Sequence, residues 1–182
     1  DAYLVKLNSA GGHEWSTYLE GPYSDRGQAV AVDSTGACYV SGYTSDSSSI
    51  FSTTTGYVAK FNTAGARQWS TALTGISAVS GVAVDSSGTC YGTGYDANYG
   101  FIDAYVVKLN SAGTPQWYTY LGGTGDDGGR GIAVDGSGAC YATGYTASSG
   151  WTSGGWDTSF NGGTTDVFVV KLNSEGMPQW ST

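Results

Sequence analysis

One nine-residue phrase occurs three times in this chain, and it limits the possible folds more than any other feature. The copies read GACYVSGYT at 36–44, GTCYGTGYD at 88–96 and GACYATGYT at 138–146. A second phrase ends in Glu-Trp or Gln-Trp and recurs four times, which spaces its tryptophans 54, 48 and 63 residues apart. These tryptophans are Trp15, Trp69, Trp117 and Trp180. A period of about 50 residues is typical of repeat architectures, in which each repeat is one supersecondary unit.

Each unit reads as four short β-strands. The first is apolar, as in RGIAVD, the second is the cysteine phrase, the third is AYVVKLN or its copies, and the fourth begins beside the tryptophan. In AYVVKLN, Tyr105, Val107 and Leu109 fall on one face, and Val106 and Lys108 fall on the other. This period of two predicts antiparallel strands, and the intervening DGSG and NSAG segments are typical of turns. No segment has a helical period.

Four-stranded antiparallel units of about 40 to 50 residues predict the blades of a β-propeller. We therefore expect an all-β fold in which residues 1–182 form one β-propeller, or a segment of one, with about three and a half blades. The predicted parts are a half-blade at 1–20 that holds strands three and four, full blades at 28–73 and 80–121, and a blade at 130–182 with a long insertion at 146–166. A β-sandwich is the alternative, and the closeness of the repeats disfavours it.

The two ends of the sequence raise a counting problem. The first 17 residues align without gaps on the last 17, so the sequence starts with two outer strands that lack their inner pair. A closed propeller generally needs at least about four blades. Two explanations remain open: the chain is a segment of a longer repeat protein, or several chains assemble by pairing strand edges.

The charge of the chain limits its partners. The net charge is −8, and only seven Lys and Arg are present. Four of these cations occupy one repeated position and form no patch: Lys6, Lys60, Lys108 and Lys171. Because nucleic acids and anionic membrane surfaces bind clustered cations, we expect neither as a partner. No apolar run approaches the roughly 18 residues that span a bilayer, so no membrane insertion is predicted.

Three cysteines occupy the same place in the repeated phrase: Cys38, Cys90 and Cys140. Metal sites prefer closely spaced cysteine pairs, and none is present. A disulfide needs Cα atoms within about 7 Å, whereas stacked sheets lie about 10 Å apart. We therefore expect three unpaired, buried thiols that act as small hydrophobic groups and let the next blade approach closely.

Residues 120–146 and 158–173 resemble the SBBP-type β-propeller repeat, which is common in secreted bacterial proteins. The resemblance covers nearly the whole chain, and it implies a propeller fold and a secreted, extracellular or cell-surface location. It implies no enzymatic activity. This chain departs from the usual repeat in one respect, because it has cysteine where the family usually carries an aliphatic residue.

Few residues suggest chemistry. The single histidine, His13, falls in a turn outside the repeated pattern, and no nucleophile elbow, metalloprotease helix or phosphate-binding loop is present. Asp126 and Asp127 form a carboxylate pair of the kind that binds Ca²⁺. Asp25 lies in the corresponding loop of the first full unit, but the second unit has no carboxylate there, and a role in the turn also explains the pair. We predict no enzymatic activity, no cofactor and no metal site, with this pair as the only Ca²⁺ candidate.

The insertion at 146–166 is the most distinctive segment. It carries Trp151, Trp156 and Phe160 among Gly, Ser and Thr residues, and the matching segment of the preceding unit carries Tyr99 and Phe101. Exposed rings beside hydroxyl groups stack on sugars or anchor a partner protein, so these five aromatic residues are the predicted binding residues. The alternative is that they fold back as a lid over their own blade.

These observations predict a non-enzymatic structural or adhesive propeller module outside the cytoplasm. We expect it to assemble with itself or to form part of a larger surface protein, so its partners are other copies of itself or neighbouring blades. The alternative is a lectin-like propeller that binds glycans through the aromatic residues at the blade edge.

Overall fold

The computed structural model describes residues 1–19, 24–45, 53–97 and 100–182. In these ranges the chain forms fourteen β-strands and no helix, so no helix there is long or apolar enough to cross a membrane. The strands make one two-stranded and three four-stranded antiparallel sheets. The all-β class and the four-stranded blade predicted from the sequence are confirmed.

Each sheet is a simple meander in which neighbouring strands follow one another in the chain. The half-blade contains β1 (Tyr3–Leu7) and β2 (His13–Tyr18). Blade 1 contains β3 (Asp25–Val32), β4 (Cys38–Ser45), β5 (Thr54–Phe61) and β6 (Arg67–Leu73). Blade 2 contains β7 (Ala78–Val84), β8 (Cys90–Asp96), β9 (Asp103–Leu109) and β10 (Pro115–Leu121). Blade 3 contains β11 (Asp127–Val134), β12 (Cys140–Thr146), β13 (Asp166–Leu172) and β14 (Pro178–Ser181). Strand β7 packs against both β3 and β11, so the first strands of the three blades are neighbours.

A β-bulge recurs in the first strand of every full blade, and it explains the last glycine of the nine-residue phrase. The register between the first and second strands slips by one residue at the bulge. A Cβ atom on Gly42 would lie 1.8 Å from the carbonyl oxygen of Arg26. On Gly94 and Gly144, the Cβ atom would lie 2.0 Å from the matching carbonyl oxygens. Only glycine fits where the bulged strand comes this close.

The blades stack through two faces with different side chains. We call the face toward the preceding blade the leading face and the opposite one the trailing face. The leading face of blade 2 presents Tyr105, Val107 and Leu109, which form one buried cluster with Tyr39 and Val58 on the trailing face of blade 1. The cluster between blades 2 and 3 is equivalent, with Phe168 in the place of Tyr105: Tyr91 and Val106 pack with Phe168, Val170 and Leu172. The alternation predicted for the third strand therefore supplies both sides of the stack.

The three cysteines lie on the leading faces and are buried and unpaired, as the sequence predicts. Burial raises the pKa of the Cys90 thiol to about 12 and that of the Cys140 thiol to about 11. Each thiol therefore stays protonated near neutral pH and packs as a small apolar group.

Candidate functional site

A tryptophan–glycine contact joins each blade to the next, and we call it the blade joint. Between blades 1 and 2, the indole N–H of Trp69 donates to the carbonyl oxygen of Ser111 at 3.0 Å. The indole ring lies against Gly113, whose φ is 80°. A Cβ atom there would lie 2.7 Å from the ring. Both the left-handed backbone and the close ring require glycine.

The other two joints repeat this geometry. Trp15 of the half-blade donates to Thr63 and lies against Gly65, and Trp117 of blade 2 donates to Ser174 and lies against Gly176. The hydrogen bonds measure 2.9 and 3.1 Å. The joint is therefore built from two turn residues and one aromatic residue that recur in every unit.

Threonine hydroxyls strengthen the two joints between full blades. Thr71 donates to the carbonyl oxygen of Gly113, and Thr119 donates to that of Gly176, both at 2.7 Å. In the half-blade, the hydroxyl of Thr17 instead donates to the carbonyl oxygen of Tyr18 in its own strand. The first joint therefore lacks one cross-blade hydrogen bond that the other two make.

A cleft of about 490 Å³ opens at this first joint, between β2 and the outer strands of blade 1. Tyr57, Phe61, Arg67 and Asp25 are among the residues that line it. The carboxylate of Asp25 is buried and has no hydrogen-bond partner among the described residues. In blade 3, the matching carboxylate of Asp127 is bound by groups from the adjoining loops, and the corresponding loops of blade 1 lie largely outside the described ranges.

The leading face of the half-blade is exposed. Tyr3, Val5 and Leu7 are 70, 41 and 53 % exposed, whereas the matching residues of blade 2 are fully buried. Gly11 has the φ of 80° that the joint glycines share, but no atom lies within 4 Å of its Cβ position. This face therefore carries the glycine half of a blade joint without its tryptophan.

The trailing face of blade 3 carries the other half. Trp180 is half-buried, and its ring centroid lies 6.3 Å from that of Tyr141, the distance that also separates Trp117 from Tyr91. The Lys171 ammonium lies 5.0 Å from the Tyr141 ring centroid, and its polar interaction with that phenol raises the lysine pKa. The side chains of a joint are thus already assembled on this face.

The predicted aromatic binding residues have different environments. Trp151 is half-buried, its ring packs edge-on against Phe168 at 5.3 Å, and its N–H donates to the Thr146 hydroxyl at 3.0 Å. Trp151 therefore folds back over its own blade, in the arrangement described above as a lid. Trp156 is 97 % exposed, Phe101 is exposed and Phe160 is half-buried. Tyr99 lies outside the described residues, and no ring contact joins any two of the four that are described.

The insertion is also tied to the last strand. The Ser153 N–H donates to the Ser181 hydroxyl at 2.9 Å, and the Ser181 N–H donates to the Ser153 carbonyl oxygen at 2.7 Å. The Asp157 N–H donates to the Thr182 hydroxyl at 2.8 Å. These bonds cover the outer edge of β14, which would otherwise present unpaired backbone groups.

The two carboxylates of the Ca²⁺ candidate serve the loop around them. Asp127 is fully buried and accepts hydrogen bonds from the Gly123 N–H at 3.0 Å and the Ser148 hydroxyl at 2.8 Å. Asp126 is exposed and accepts one from the Ile102 N–H at 3.1 Å. In the ranges that the structure covers, no group of three His, Cys, Asp or Glu side chains is placed to hold a metal ion. The absence of a metal site stays a prediction, and the pair stays the Ca²⁺ candidate.

Other polar residues singled out in the sequence also have structural surroundings. His13 is exposed at the first position of β2. Asp33 accepts hydrogen bonds from Thr35 and Ala37 in its own turn. Although burial opposes the effect, these bonds lower the pKa of Asp33. The same turn recurs around Asp85 and Asp135.

The sequence pattern alone does not bring the joint residues together. It places each tryptophan in a strand and each glycine in a turn, whereas the two that touch come from different units. The available signal is the recurrence of a glycine four residues before every repeated tryptophan, at Gly11, Gly65, Gly113 and Gly176.

Solved structures similar to this chain are distant in sequence. A protein of unknown function from Bacteroides caccae has a TM-score of 0.54 at 12 % identity, over 99 % of this chain and 57 % of that one. A gluconolactonase from Xanthomonas campestris has a TM-score of 0.49 at 12 % identity, over 97 % of this chain and 53 % of that one. The Pan2 WD40 domain of Neurospora crassa has a TM-score of 0.34 at 8 % identity, over 84 % of this chain and 64 % of that one. This chain thus spans just over half the length of the first two. The likeness to the Bacteroides protein is one of fold alone.

Comparison with protein families gives a local match. No curated protein matches the chain. The model of the SBBP beta-propeller repeat matches residues 14–48, which run from β2 through β3 and β4. The predicted resemblance to the SBBP repeat is confirmed over residues 14–48, and the segments at 120–146 and 158–173 lie outside this match.

Proposed function

We propose that this chain is a non-enzymatic structural module that extends an array of propeller blades outside the cytoplasm. One observation carries the proposal. The same three-residue joint holds all the described blades together, and both end faces of the array present an unfilled half of it. A module with such faces is suited to join further blades, as in repeat proteins, where each unit gains stability from its neighbours.

The outward-facing side chains support this role. Large exposed apolar surface is costly in a soluble protein and marks an interaction surface. Tyr3, Val5 and Leu7 lie together on one face of the half-blade, and each has a counterpart that is buried in every full blade. The extracytoplasmic location is supported by the SBBP repeat, since such repeats are common in secreted bacterial proteins.

A tandem chain tests the proposal. Residues 1–182 followed directly by residues 18–182 would continue the blade array without interruption, because the first 17 residues repeat the last 17. In the tandem chain, Trp180 of the first copy faces the turn at Gly65 of the second. We expect one cooperative unfolding transition, with a midpoint about 5 °C or more above that of the single module. The control is the single module fused to an unrelated soluble domain. Unfolding of the tandem chain at the midpoint of the single module would contradict the proposal.

Glycan binding is a second candidate, and it is favoured by the exposure of Trp156. This ring is almost fully exposed in a segment rich in Ser, Thr and Gly, which is the setting in which aromatic rings stack on sugars. A glycan array with the wild-type chain and Trp156→Ala tests it, with Tyr18→Ala as a control for an exposed aromatic residue elsewhere. Binding that survives Trp156→Ala would remove this candidate site.

A further inference from the structure

We infer that the trailing face of blade 3 binds the half-blade of a second copy of this chain, with Gly11 of that copy seated on Trp180. The inference rests on the proposed function and names the partner of the same face. The occupant is identified by continuity with the internal joints, because each end of the array carries the half of a joint that the other end lacks.

The donors of the missing joint are in place on blade 3. In the joint between blades 2 and 3, the Trp117 N–H and the Lys108 ammonium both donate to the carbonyl oxygen of Ser174, at 3.1 and 3.0 Å. Their counterparts on blade 3 are Trp180 and Lys171. Within the described ranges no following blade offers these two donors a carbonyl oxygen. The face therefore favours a partner turn with two features. One is an exposed carbonyl oxygen that accepts these hydrogen bonds, and the other is a glycine, whose lack of a side chain lets the indole ring lie against the backbone.

The half-blade supplies such a turn in a formed state. The Asn8 side chain accepts hydrogen bonds from the Ala10 N–H at 3.0 Å and the Gly12 N–H at 2.8 Å, as the equivalent asparagines do in the other blades. Gly11 has a φ of 80°, against 80° and 81° at the joint glycines of blades 2 and 3. The carbonyl of Ser9 then occupies the position at which Thr63, Ser111 and Ser174 accept the indole hydrogen bond. No rearrangement of the turn is needed for docking.

Apolar side chains complete the match. Tyr3, Val5 and Leu7 correspond to the residues that pack on the trailing faces of blades 1 and 2, and Val169 and Tyr141 correspond to the residues that receive them. The half-blade has only two strands, so it covers the outer part of the face and leaves the Tyr141 hydroxyl without a glycine carbonyl from a neighbour. The contact is therefore smaller than an internal joint, and we expect a dissociation constant on the order of 10 µM.

Such a contact is heterologous, since different surfaces of the two copies meet. A heterologous contact closes into a ring or continues as a filament. Two variants interrupt it from opposite sides. Gly11→Ala adds a Cβ atom that would clash with the partner's indole ring. In the internal joints, a Cβ atom on the glycine would lie 2.7 to 2.8 Å from the nearest ring atom. Trp180→Phe removes the indole donor and part of the ring.

The test is the mass of the full chain by light scattering at about 1 to 200 µM, in about 0.15 M salt to screen the charge of −8. We expect the wild-type mass to rise with concentration above 18.7 kDa. Gly11→Ala weakens association more than about tenfold, and Trp180→Phe weakens it about threefold to tenfold. Gly150→Ala is the matched control for Gly11→Ala, because Gly150 has a φ of 76° and nothing within 4 Å. Trp156→Phe is the control for Trp180→Phe.

Mixing the two variants gives the sharpest result. Gly11→Ala chains keep a working Trp180, and Trp180→Phe chains keep a working Gly11, so an equimolar mixture forms one good joint per pair. At the same total concentration, we expect a larger dimer fraction in the mixture than in either variant alone. A wild-type chain that stays at 18.7 kDa, variants that associate like the controls, or a mixture that does not dimerise overturns the inference. If the tandem chain gains stability while free copies do not associate, the trailing face of blade 3 does not bind a second copy, and the proposed function still holds. If the tandem chain gains no stability, the proposed function fails as well.

Discussion

Blades 2 and 3 are built from closely similar strand sequences, yet their trailing faces lie in different environments. The trailing residues of blade 2 are fully buried: Tyr91, Thr93 and Val106. Their counterparts on blade 3 are half-buried: Tyr141, Thr143 and Val169. The threonines still make the same bond, since Thr93 donates to the Tyr105 carbonyl and Thr143 to the Phe168 carbonyl, both at 2.7 Å.

This difference separates two contributions to the stability of a blade: its own hydrogen bonds and its burial by the next blade. Hydrogen bonds within a sheet and within its turns come from the sequence of one blade, and the turn bonds of Asp85 and Asp135 recur in blades 2 and 3, as do the threonine bonds. Burial of the trailing face comes from the next blade. Stability should therefore respond strongly to changes at filled joints and weakly to the same changes at the open ends, and the following predictions apply that contrast.

The largest expected effect is loss of stability at alkaline pH. Burial raises the pKa of Cys90 from 9.0 to about 12 and that of Cys140 from 9.0 to about 11. The unfolded chain releases these protons at lower pH than the folded chain, so the contribution of the thiols is complete below about pH 9 and is lost as the pH rises toward the folded values. At about pH 11, the two thiols together lower the free energy of unfolding by about 5 kcal/mol.

Urea unfolding at a series of pH values checks this result. Two cysteine variants then compare a thiol covered by a full blade with a thiol covered by the half-blade. Cys90 lies under a complete preceding blade, whereas Cys38 lies under the two-stranded half-blade. Cys90→Ala should flatten the alkaline slope more than Cys38→Ala does. Equal slopes in the two variants would show that the half-blade shields its neighbour as well as a full blade.

The second prediction compares two glycines with the same backbone conformation. Gly113→Ala forces a Cβ to within 2.7 Å of the Trp69 ring and also strains a left-handed backbone, so it should cost about 3 kcal/mol. Gly11→Ala has only the backbone strain and should cost about 1 kcal/mol in the monomer. Chemical denaturation at low protein concentration measures both. A difference below about 0.5 kcal/mol would contradict the tight fit of the filled joint.

The third prediction compares two tryptophans of the insertion. Trp151→Ala removes the packing on Phe168 and the hydrogen bond to Thr146, and should cost about 2 to 3 kcal/mol. Trp156→Ala removes an exposed ring and should change stability by less than about 0.5 kcal/mol. Thermal unfolding distinguishes them. Similar losses in both variants would mean that the insertion packs in another way.

The smallest effect concerns two tyrosine hydroxyls. The Tyr91 hydroxyl donates to the Gly138 carbonyl of the next blade at 3.3 Å, so Tyr91→Phe leaves that carbonyl without this donor and should cost about 1 kcal/mol. The Tyr141 hydroxyl donates to Asp135 in its own blade at 3.3 Å, where water can replace it, so Tyr141→Phe should cost less than about 0.5 kcal/mol. Urea midpoints of the two variants give the comparison, and the reverse order would argue against a covered face on blade 2.

The fold could be predicted because its determinants are local. The alternation of Tyr105, Val107 and Leu109 with their neighbours fixes the strand faces, and the glycines of the turns fix where strands end. The repeat then fixes how many such sheets there are. The bulge in the first strand was not predicted, although the glycine at position 94 that accommodates it was visible in the phrase.

The candidate site was less predictable because its determinants are not local. Trp69 and Gly113 lie 44 residues apart, and only the stacking of blades brings them into contact. Trp151 and Trp156 have similar sequence surroundings, and packing on Phe168 alone makes one a lid residue and leaves the other exposed. Composition identified the segment as aromatic but could not assign a role to each ring.

Hydrogen exchange of the indole N–H groups, followed by NMR at low protein concentration, tests the blade joint most directly. We expect slow exchange at Trp15, Trp69 and Trp117, whose N–H groups donate across a joint, and fast exchange at Trp180, whose joint is open. Exchange at Trp180 as slow as at the other three would show that its face is already covered in the monomer, which contradicts an open joint on blade 3.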